Sequence, residues 1–369
     1  MNTRHKHTAK DSRGRTILQW MPTLCAIFVI LIIAGCNNSK QTYKKSRVLM
    51  DTYCTITVTS TSRTNAETAI DAGFNAIERI QNLINYYDDK SELSALNRAA
   101  GLAPVEVSAE TLDMLQKAVA ISKLTDGAFD PTIAPLLRHW QFTKGETKHV
   151  LPTKETISNS LRHIGYSGIQ INTENSEVFL TETGMKIDLG GIAKGYGADK
   201  AIEAIKNTGV NAALVAIAGD IRGFGNNADG SPWRIGIQDP RPAKTMDKPW
   251  EDIIASIDLL DRAVSTSGDY QRFFIKDGKR YHHILDPRTG YPSDSGLISA
   301  TVIAPEGYLS DSLSTAIFIL GPEKGLMLLN SEGMDAVLID QNKQVFITDG
   351  IKEKIKILKP EYNGSLNPQ

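Results

Sequence analysis

Residues Tyr281–Pro292, YHHILDPRTGYP, place two histidines, an aspartate, an arginine and a proline-glycine turn in one short window. Alternation through Arg280, His282 and Ile284 predicts a short strand, and Pro287 with Thr289-Gly290 stops it in a turn. His283, Asp286 and Arg288 are then left near a strand mouth, where scaffolds commonly hold chemistry. Alone, the window also fits a polar hairpin with surface histidines. Outward from it, Ala263–Tyr270 (AVSTSGDY) predicts a strand running into hydroxyls and a glycine, a turn suited to phosphate. Ser299–Ala304 predicts a strand and Gly307–Leu320 a helix. Strands and helices are interspersed without regular βαβ alternation, so the expected fold is α+β: a single body of mixed, mainly antiparallel sheet with packed helices.

The chain has 369 residues, a net charge of −1 and 41% hydrophobic residues, enough for a substantial core and with no basic surplus for nucleic acid. The amino terminus departs from this average. Arg4, Lys6, Lys10, Arg13 and Arg15 precede the apolar run Leu24–Ala34, followed by Gly35 and Cys36. This pattern resembles the lipobox of bacterial lipoproteins. It implies a signal peptide over 1–35, a lipidated Cys36 with a polar tether to residue 46, a folded body over 47–360 and a tail over 361–369. An uncleaved anchor using Ile17–Ala34 despite Pro22 is the alternative. Both put the body outside the cytoplasm, in the bacterial cell envelope. Only Cys54 then remains as a thiol in the body, so chemistry falls to oxygen and nitrogen groups.

Arg47–Ser60 predicts a strand with Met50-Asp51-Thr52 near its entry, and Asn65–Tyr87 a helix whose end carries Tyr86 and Tyr87, placed to stack on a planar ligand or to cover the core edge. Ser108 opens another helix, closed by Asp126-Gly127. In the following GAFDPTIAPLLRHW, Gly127, Phe129 and Asp130-Pro131 could grip a flat heterocycle or simply brace a loop. Lys186–Lys200, KIDLGGIAKGYGADK, predicts a short strand breaking at Gly190-Gly191 into a helix whose free amides suit an anion. It is neither a Walker loop nor a GxGxxG fingerprint. Asp188 and Lys194 could address a cation and a phosphate, or pair with each other. Asp311 and Thr315 share one helical face and suit a hard cation such as Mg²⁺; the alternative is an aspartate stabilising the helix dipole.

Together the windows MDT, YYDDKSELSALN, GAFDPTIAPL, KIDLGGIAKGYGADKA, AVSTSGDYQRFF, HHILDPRTGYP and DSLSTAIFILG resemble the FAD:protein FMN transferase family, the ApbE-like flavin transferases, in order and spacing from about Val48 to Leu329. The resemblance implies an ApbE-like, T-fold-related catalytic body. The implied reaction moves the FMN half of FAD onto a threonine or serine of a partner flavoprotein subunit of Nqr or Rnf type, with Mg²⁺, releasing AMP. By motif, Met50, Tyr87, Ala128, Phe129, Asp130, Asp188, Lys194 and Leu285 are implied FAD contacts. The Gly191 backbone oxygen, Asp311 and Thr315 are implied metal ligands, and His283 the catalytic residue at the reacting phosphate. Two positions depart from the family pattern: Asp51 stands in MDT where MGT is usual, and Ser314 where some members carry an acidic ligand. The family's acceptor motif, DxTGAT, does not occur in this chain, which implies a separate acceptor. An FAD pyrophosphatase and a non-catalytic flavin-binding lipoprotein are the rival readings; the cation pair and His283 speak against the second.

Overall fold

The structure, a computed structural model, describes residues 39–140, 142, 150–243 and 246–362. The expected signal peptide, Cys36 and most of the tail lie outside the described residues. A hairpin of β1 (Gln41–Leu49) and β2 (Thr52–Ser60) leads into α1 (Arg63–Ile84) and α2 (Glu92–Arg98). Then come β3 (Val105–Glu106), α3 (Ala109–Leu124), α4 (Ala134–Trp140), α5 (Lys154–Leu161), β4 (Ile169–Asn172) and β5 (Glu177–Leu180). Next are α6 (Ala193–Lys206), β6 (Ala212–Ile217), β7 (Asp220–Phe224), β8 (Trp233–Gln238), β9 (Ile253–Leu259) and β10 (Ala263–Gly268). A second hairpin, β11 (Phe273–Lys276) and β12 (Lys279–His282), precedes β13 (Leu297–Ala304), α7 (Gly307–Leu320) and α8 (Pro322–Ser331). Strands β14 (Asp335–Asp340), β15 (Val345–Ile347) and β16 (Ile355–Ile357) follow.

Eight strands form one sheet in the order β1-β2-β6-β7-β10-β13-β14-β15, antiparallel at each pairing. Helices cover one face and the small sheet β16-β9-β8 covers the other. Strand β14 shows why both covers are needed: Ala336 and Leu338 join the core on the helix side, while Val337 and Ile339 join the core under the small sheet. Strand β13 is buried at each of its positions, as a strand covered on both faces must be.

Helices α6 and α7 cross where neither has a side chain. A methyl group on Gly195 would lie 2.1 Å from the Gly307 carbonyl oxygen, and one on Gly307 would lie 2.3 Å from that of Gly195. The start of α7 has no side-chain cap of its own; instead Asp199 of α6 accepts from the amides of Gly307 at 2.7 Å and Tyr308 at 2.9 Å. A carboxylate at a helix start satisfies orphan donors and meets the positive end of the helix dipole.

Three expectations change. The tether ends earlier than residue 46, because β1 begins at Gln41 and pairs with β2 along its whole length. Its polar, lysine-containing sequence suits an edge strand that must not recruit another chain. The strand expected over Arg47–Ser60 is a hairpin turning at Met50 (φ 52°) and Asp51 (φ 56°), so Asp51 occupies a left-handed position where glycine is easiest and aspartate tolerable. The short strand expected before Gly190-Gly191 does not form: residues 186–189 are irregular and Gly190 lies in a turn. The Asn97 side chain pairs with this segment instead, accepting from the Ile187 amide at 2.7 Å and donating to the Ile187 carbonyl at 2.9 Å. The helix crossing generates a prediction: Gly195→Ala forces main chain apart and should cost about 1–3 kcal/mol or more, seen as a lowered urea midpoint.

Candidate active site

The site forms at the start of α6. The Lys194 ammonium lies 2.6 Å from Asp220 Oδ2 and 3.3 Å from Asp311 Oδ1. Both carboxylates are buried. Burial raises the Asp311 pKa, and the Asp220 charge adds to it, so it reaches about 6 despite Lys194 and the Gly195 amide. Burial alone would lower the pKa of Lys194, but the two carboxylates outweigh that and hold its ammonium above its ordinary value. Lys194 and Asp188 do not pair with each other; the ammonium goes to Asp220 and Asp311 instead.

The Gly195 amide donates to Asp311 Oδ2 at 2.9 Å, and the first helical hydrogen bond of α6 runs from Tyr196 to Ile192 at 3.0 Å. The Gly191 carbonyl, one turn before Gly195, therefore lies outside the helical ladder. A methyl on Gly191 would lie 3.1 Å from Phe129 Cε2 and 3.9 Å from Thr315 Oγ1. Gly191, Thr315 and the aromatic edge of Phe129 thus meet beside Asp311. Among the described residues no group of three His, Cys, Asp or Glu side chains is arranged to hold a metal. A carboxylate, a hydroxyl and a free carbonyl nevertheless form an all-oxygen set that fits Mg²⁺ completed by water and phosphate.

Strand β10 supports this set from below. Ser265 bonds Ser310 at 2.9 Å, and Ser267 bonds Ser314 at 2.9 Å and Thr315 at 3.1 Å. Of the hydroxyls expected to suit phosphate, Ser265 and Ser267 are therefore engaged with α7, and Thr266 pairs with Thr301 of β13 at 2.9 Å. Ser314 is fully buried and also donates to the Asp311 carbonyl at 2.8 Å, so this position brings no charge to the cation site.

His283 follows β12 and is half-buried. Its Nδ1 lies 3.2 Å from the Arg272 carbonyl, and its amide donates to the same oxygen at 3.1 Å. Burial lowers its pKa to about 4, and the charges of Arg272, His282 and Lys194 act in the same direction. A neutral ring beside a carbonyl, which only accepts, carries its hydrogen on Nδ1, so Nε2 keeps a lone pair. The turn beyond is held by Asp286, which accepts from Arg288 Nε at 2.8 Å and Nη2 at 2.7 Å, and by Trp140, which donates to the Gly290 carbonyl at 3.0 Å.

The remaining expected contacts divide by what their side chains already do. Tyr87 is 88% exposed and packs edge-on against Tyr86, leaving its ring available for stacking. Burial raises the Asp188 pKa, opposed by the Gly190 amide and by Arg272. Met50 packs at Gly197 of α6, and its amide donates to Gln81. The Asp130 carboxylate, expected as a flavin contact, is occupied by the Thr132 amide, the Thr132 hydroxyl and the Tyr166 amide. Ala128 and Leu285 have buried side chains, Leu285 within a cluster with Leu136, Trp140, Ile157 and Phe274. These three residues can offer a ligand main-chain groups only.

Sequence reasoning missed Asp220 and Arg272. Asp220 was visible as the acid in AGD, just after the left-handed Ala218 (φ 52°), but its meeting with Lys194 depends on the pairing of β6 with β7. Arg272 lies in the quoted AVSTSGDYQRFF, and its charge reaches both Asp188 and His283.

Paired carboxylates, a lysine, a cluster of oxygen groups and a neutral histidine thus meet on an antiparallel α+β scaffold. The chain belongs to the ApbE family, whose model matches residues 50–338. It is 30% identical over 334 residues to the FAD:protein FMN transferase of Haemophilus influenzae, covering 88% of this chain and 94% of that protein. With the FAD:protein FMN transferase of Treponema pallidum it shares 32% identity over 337 residues, 87% of this chain and 90% of that one. Among solved structures it resembles the ApbE protein of Thermotoga maritima with a TM-score of 0.77 at 36% identity, covering 85% of this chain and 99% of that chain. The flavin transferase ApbE of Vibrio cholerae matches with a TM-score of 0.76 at 28% identity, again covering 85% and 99%.

The environment of His283 yields a second prediction. Its imidazole should titrate well below the ordinary histidine range, and Arg272→Ala should move that titration upward, both read by NMR of the ring.

Proposed function

We propose that this chain is a flavinyltransferase that moves the FMN half of FAD onto a serine or threonine hydroxyl of a partner protein and releases AMP. The observation that carries the reading is the convergence of Lys194, Asp220, Asp311, Thr315 and the free Gly191 carbonyl at one helix start. The family relationship supports the same chemistry.

The acceptor oxygen attacks the FMN phosphorus, a P–O bond forms, the anhydride P–O bond breaks, and AMP leaves with the bridging oxygen. His283 Nε2 takes the hydroxyl proton, which its depressed pKa leaves it free to do at neutral pH. Arg272 fixes that ring through its carbonyl and presents its positive charge to the same side of the site. Lys194 is anchored by Asp220 and places its charge beside the phosphates. Phosphoryl transfer depends largely on such positioning and charge neutralisation. Asp311, Thr315 and the Gly191 carbonyl would hold Mg²⁺, which would neutralise charge on the pyrophosphate. Tyr87 offers aromatic surface to the flavin. Under the same proposal Cys36 carries the lipid and the body works in the cell envelope on a flavoprotein subunit of Nqr or Rnf type. Among the described residues no helix is long and apolar enough to cross a membrane.

The test is incubation with FAD, Mg²⁺ and a domain bearing a DxTGAT segment, followed by in-gel flavin fluorescence and mass. His283→Asn should keep FAD affinity and lose transfer by about 100-fold or more, whereas Asp311→Ala should flatten the Mg²⁺ titration. Free FMN and AMP without a labelled acceptor would show water as the acceptor and sink the transferase reading.

A further inference from the structure

Asp269 follows the last residue of β10, and its buried carboxylate stands between two arginines. Arg241 Nη1 donates to Oδ1 at 2.8 Å and Nη2 to Oδ2 at 2.7 Å, a two-pronged bond that fixes the carboxylate plane. Arg280 of β12 adds a second cation, its Nε 3.8 Å from Oδ2 and its Nη1 donating to the Asp269 carbonyl at 3.3 Å. Burial lowers the Arg280 pKa and Asp269 opposes this, while the Arg241 charge adds to it, so the two guanidiniums feel each other. Arg241 is itself held, because its amide donates to Asp239, which also accepts from Lys359 and the Tyr362 hydroxyl, each at 2.6 Å. The Asp269 amide donates to the Ile298 carbonyl of β13 at 3.2 Å. One residue thus ties together the main sheet, the segment after β8 and the hairpin β11–β12.

Among the described residues no third strand pairs with that hairpin, and its open end carries both halves of the His283 cradle. The Arg272 carbonyl receives the His283 amide and faces its Nδ1. Arg272 lies three residues after Asp269, and His283 three residues after Arg280. Packing holds the faces of the hairpin, with Phe274 in the cluster of Leu136, Trp140 and Leu285 and His282 edge-on to Phe318 at 5.4 Å. The Asp269 carboxylate adds the polar tie between the two chain segments that meet at the ring.

We propose that Asp269 is a positioning residue for His283: by gripping Arg280 at the head of the segment that ends in Arg272, it holds the Arg272 carbonyl against the ring Nδ1–H and keeps the lone pair on Nε2. The hydrogen bond made by one ring nitrogen of a histidine decides which of the two carries the hydrogen. Without the carboxylate, two like charges face each other, the segments part, and Nδ1 loses its acceptor. The inference rests on the transferase reading, in which His283 takes the proton of the acceptor hydroxyl.

The experiment uses the full chain with FAD, Mg²⁺ and a DxTGAT-bearing domain, comparing Asp269→Asn, Arg280→Gln and Arg280→Lys with Asp258→Asn. The last breaks an exposed ion pair with Arg234 on the small sheet and serves as a control that should match the unsubstituted protein. Asp269→Asn and Arg280→Gln should lower kcat about 10- to 100-fold, the scale of a misplaced reacting group. The loss should fall on kcat rather than on KM for FAD or acceptor, and Arg280→Lys, which keeps the charge, should recover part of it. Nitrogen NMR, with the His283 ring assigned by its absence in His283→Asn, should find the hydrogen on Nδ1 in the unsubstituted protein and shared with Nε2 in Asp269→Asn. In a His283→Asn background neither substitution should lower kcat further, because residues that act as a unit do not add. A further loss in that background, an unchanged tautomer, or full kcat in the folded variants would overturn the positioning role alone. If Asp269→Asn does not fold, Arg280→Gln decides by the same readouts. An unsubstituted protein that transfers no flavin, or that carries the ring hydrogen on Nε2, would overturn the role of His283 and this inference with it.

Discussion

Where α6 and α7 cross, main chain meets main chain, and the rest of the site depends on that approach. Gly195 and Gly307 leave no side chain between the helices, so Asp311 comes within reach of the Gly195 amide and of Lys194. Asp199 locks the same crossing from the other end by capping α7. Neither helix could carry its functional groups to this point separately. The sheet beneath then sets height and rotation, because Ser265 and Ser267 of β10 bond the hydroxyls of α7.

Electrostatics follows from that geometry. Two buried carboxylates share one ammonium, an arrangement stable only while the cation stays in place. Asp311 therefore resists ionisation more than an ordinary aspartate, while Lys194 holds its proton more firmly than an ordinary lysine. His283, by contrast, is relieved of its proton by burial and by cations around it. One neighbourhood thus keeps a lysine charged and a histidine neutral.

What could be read from the sequence was what depended on local pattern. Helix α7 is found over the residues its apolar spacing predicts, and Ser108 caps α3 as its position before an apolar run suggests. The α+β class was legible in the irregular succession of strands and helices. What escaped depended on distant partners. Strand β1 has no alternation because it is a polar edge, so only its pairing with β2 reveals it. Asn97 replaces a strand for Ile187 across 90 residues of chain, which no periodicity signals. At the site, the i,i+4 spacing of Asp311 and Thr315 was visible, whereas Asp220 became significant only once β7 returned beside α6. Asp130 shows the converse: its place in a proline turn was clear, but the donors that occupy it come partly from Tyr166, well beyond the turn.

The start of α6 has one more implication. Gly195 is the third residue of α6, so its amide is one of the donors that a helix start leaves without an intrahelical partner, and the Gly191 carbonyl precedes the ladder. Asp311 of α7 takes up that donor, so one hydrogen bond between two helices satisfies the helix start and immobilises an anionic oxygen there. The Asp311 oxygen is thereby positioned by helix docking, while the turn at Gly190-Gly191 leads into the same helix start. Docking of the two helices and the fixing of that carboxylate are, at this point, one event.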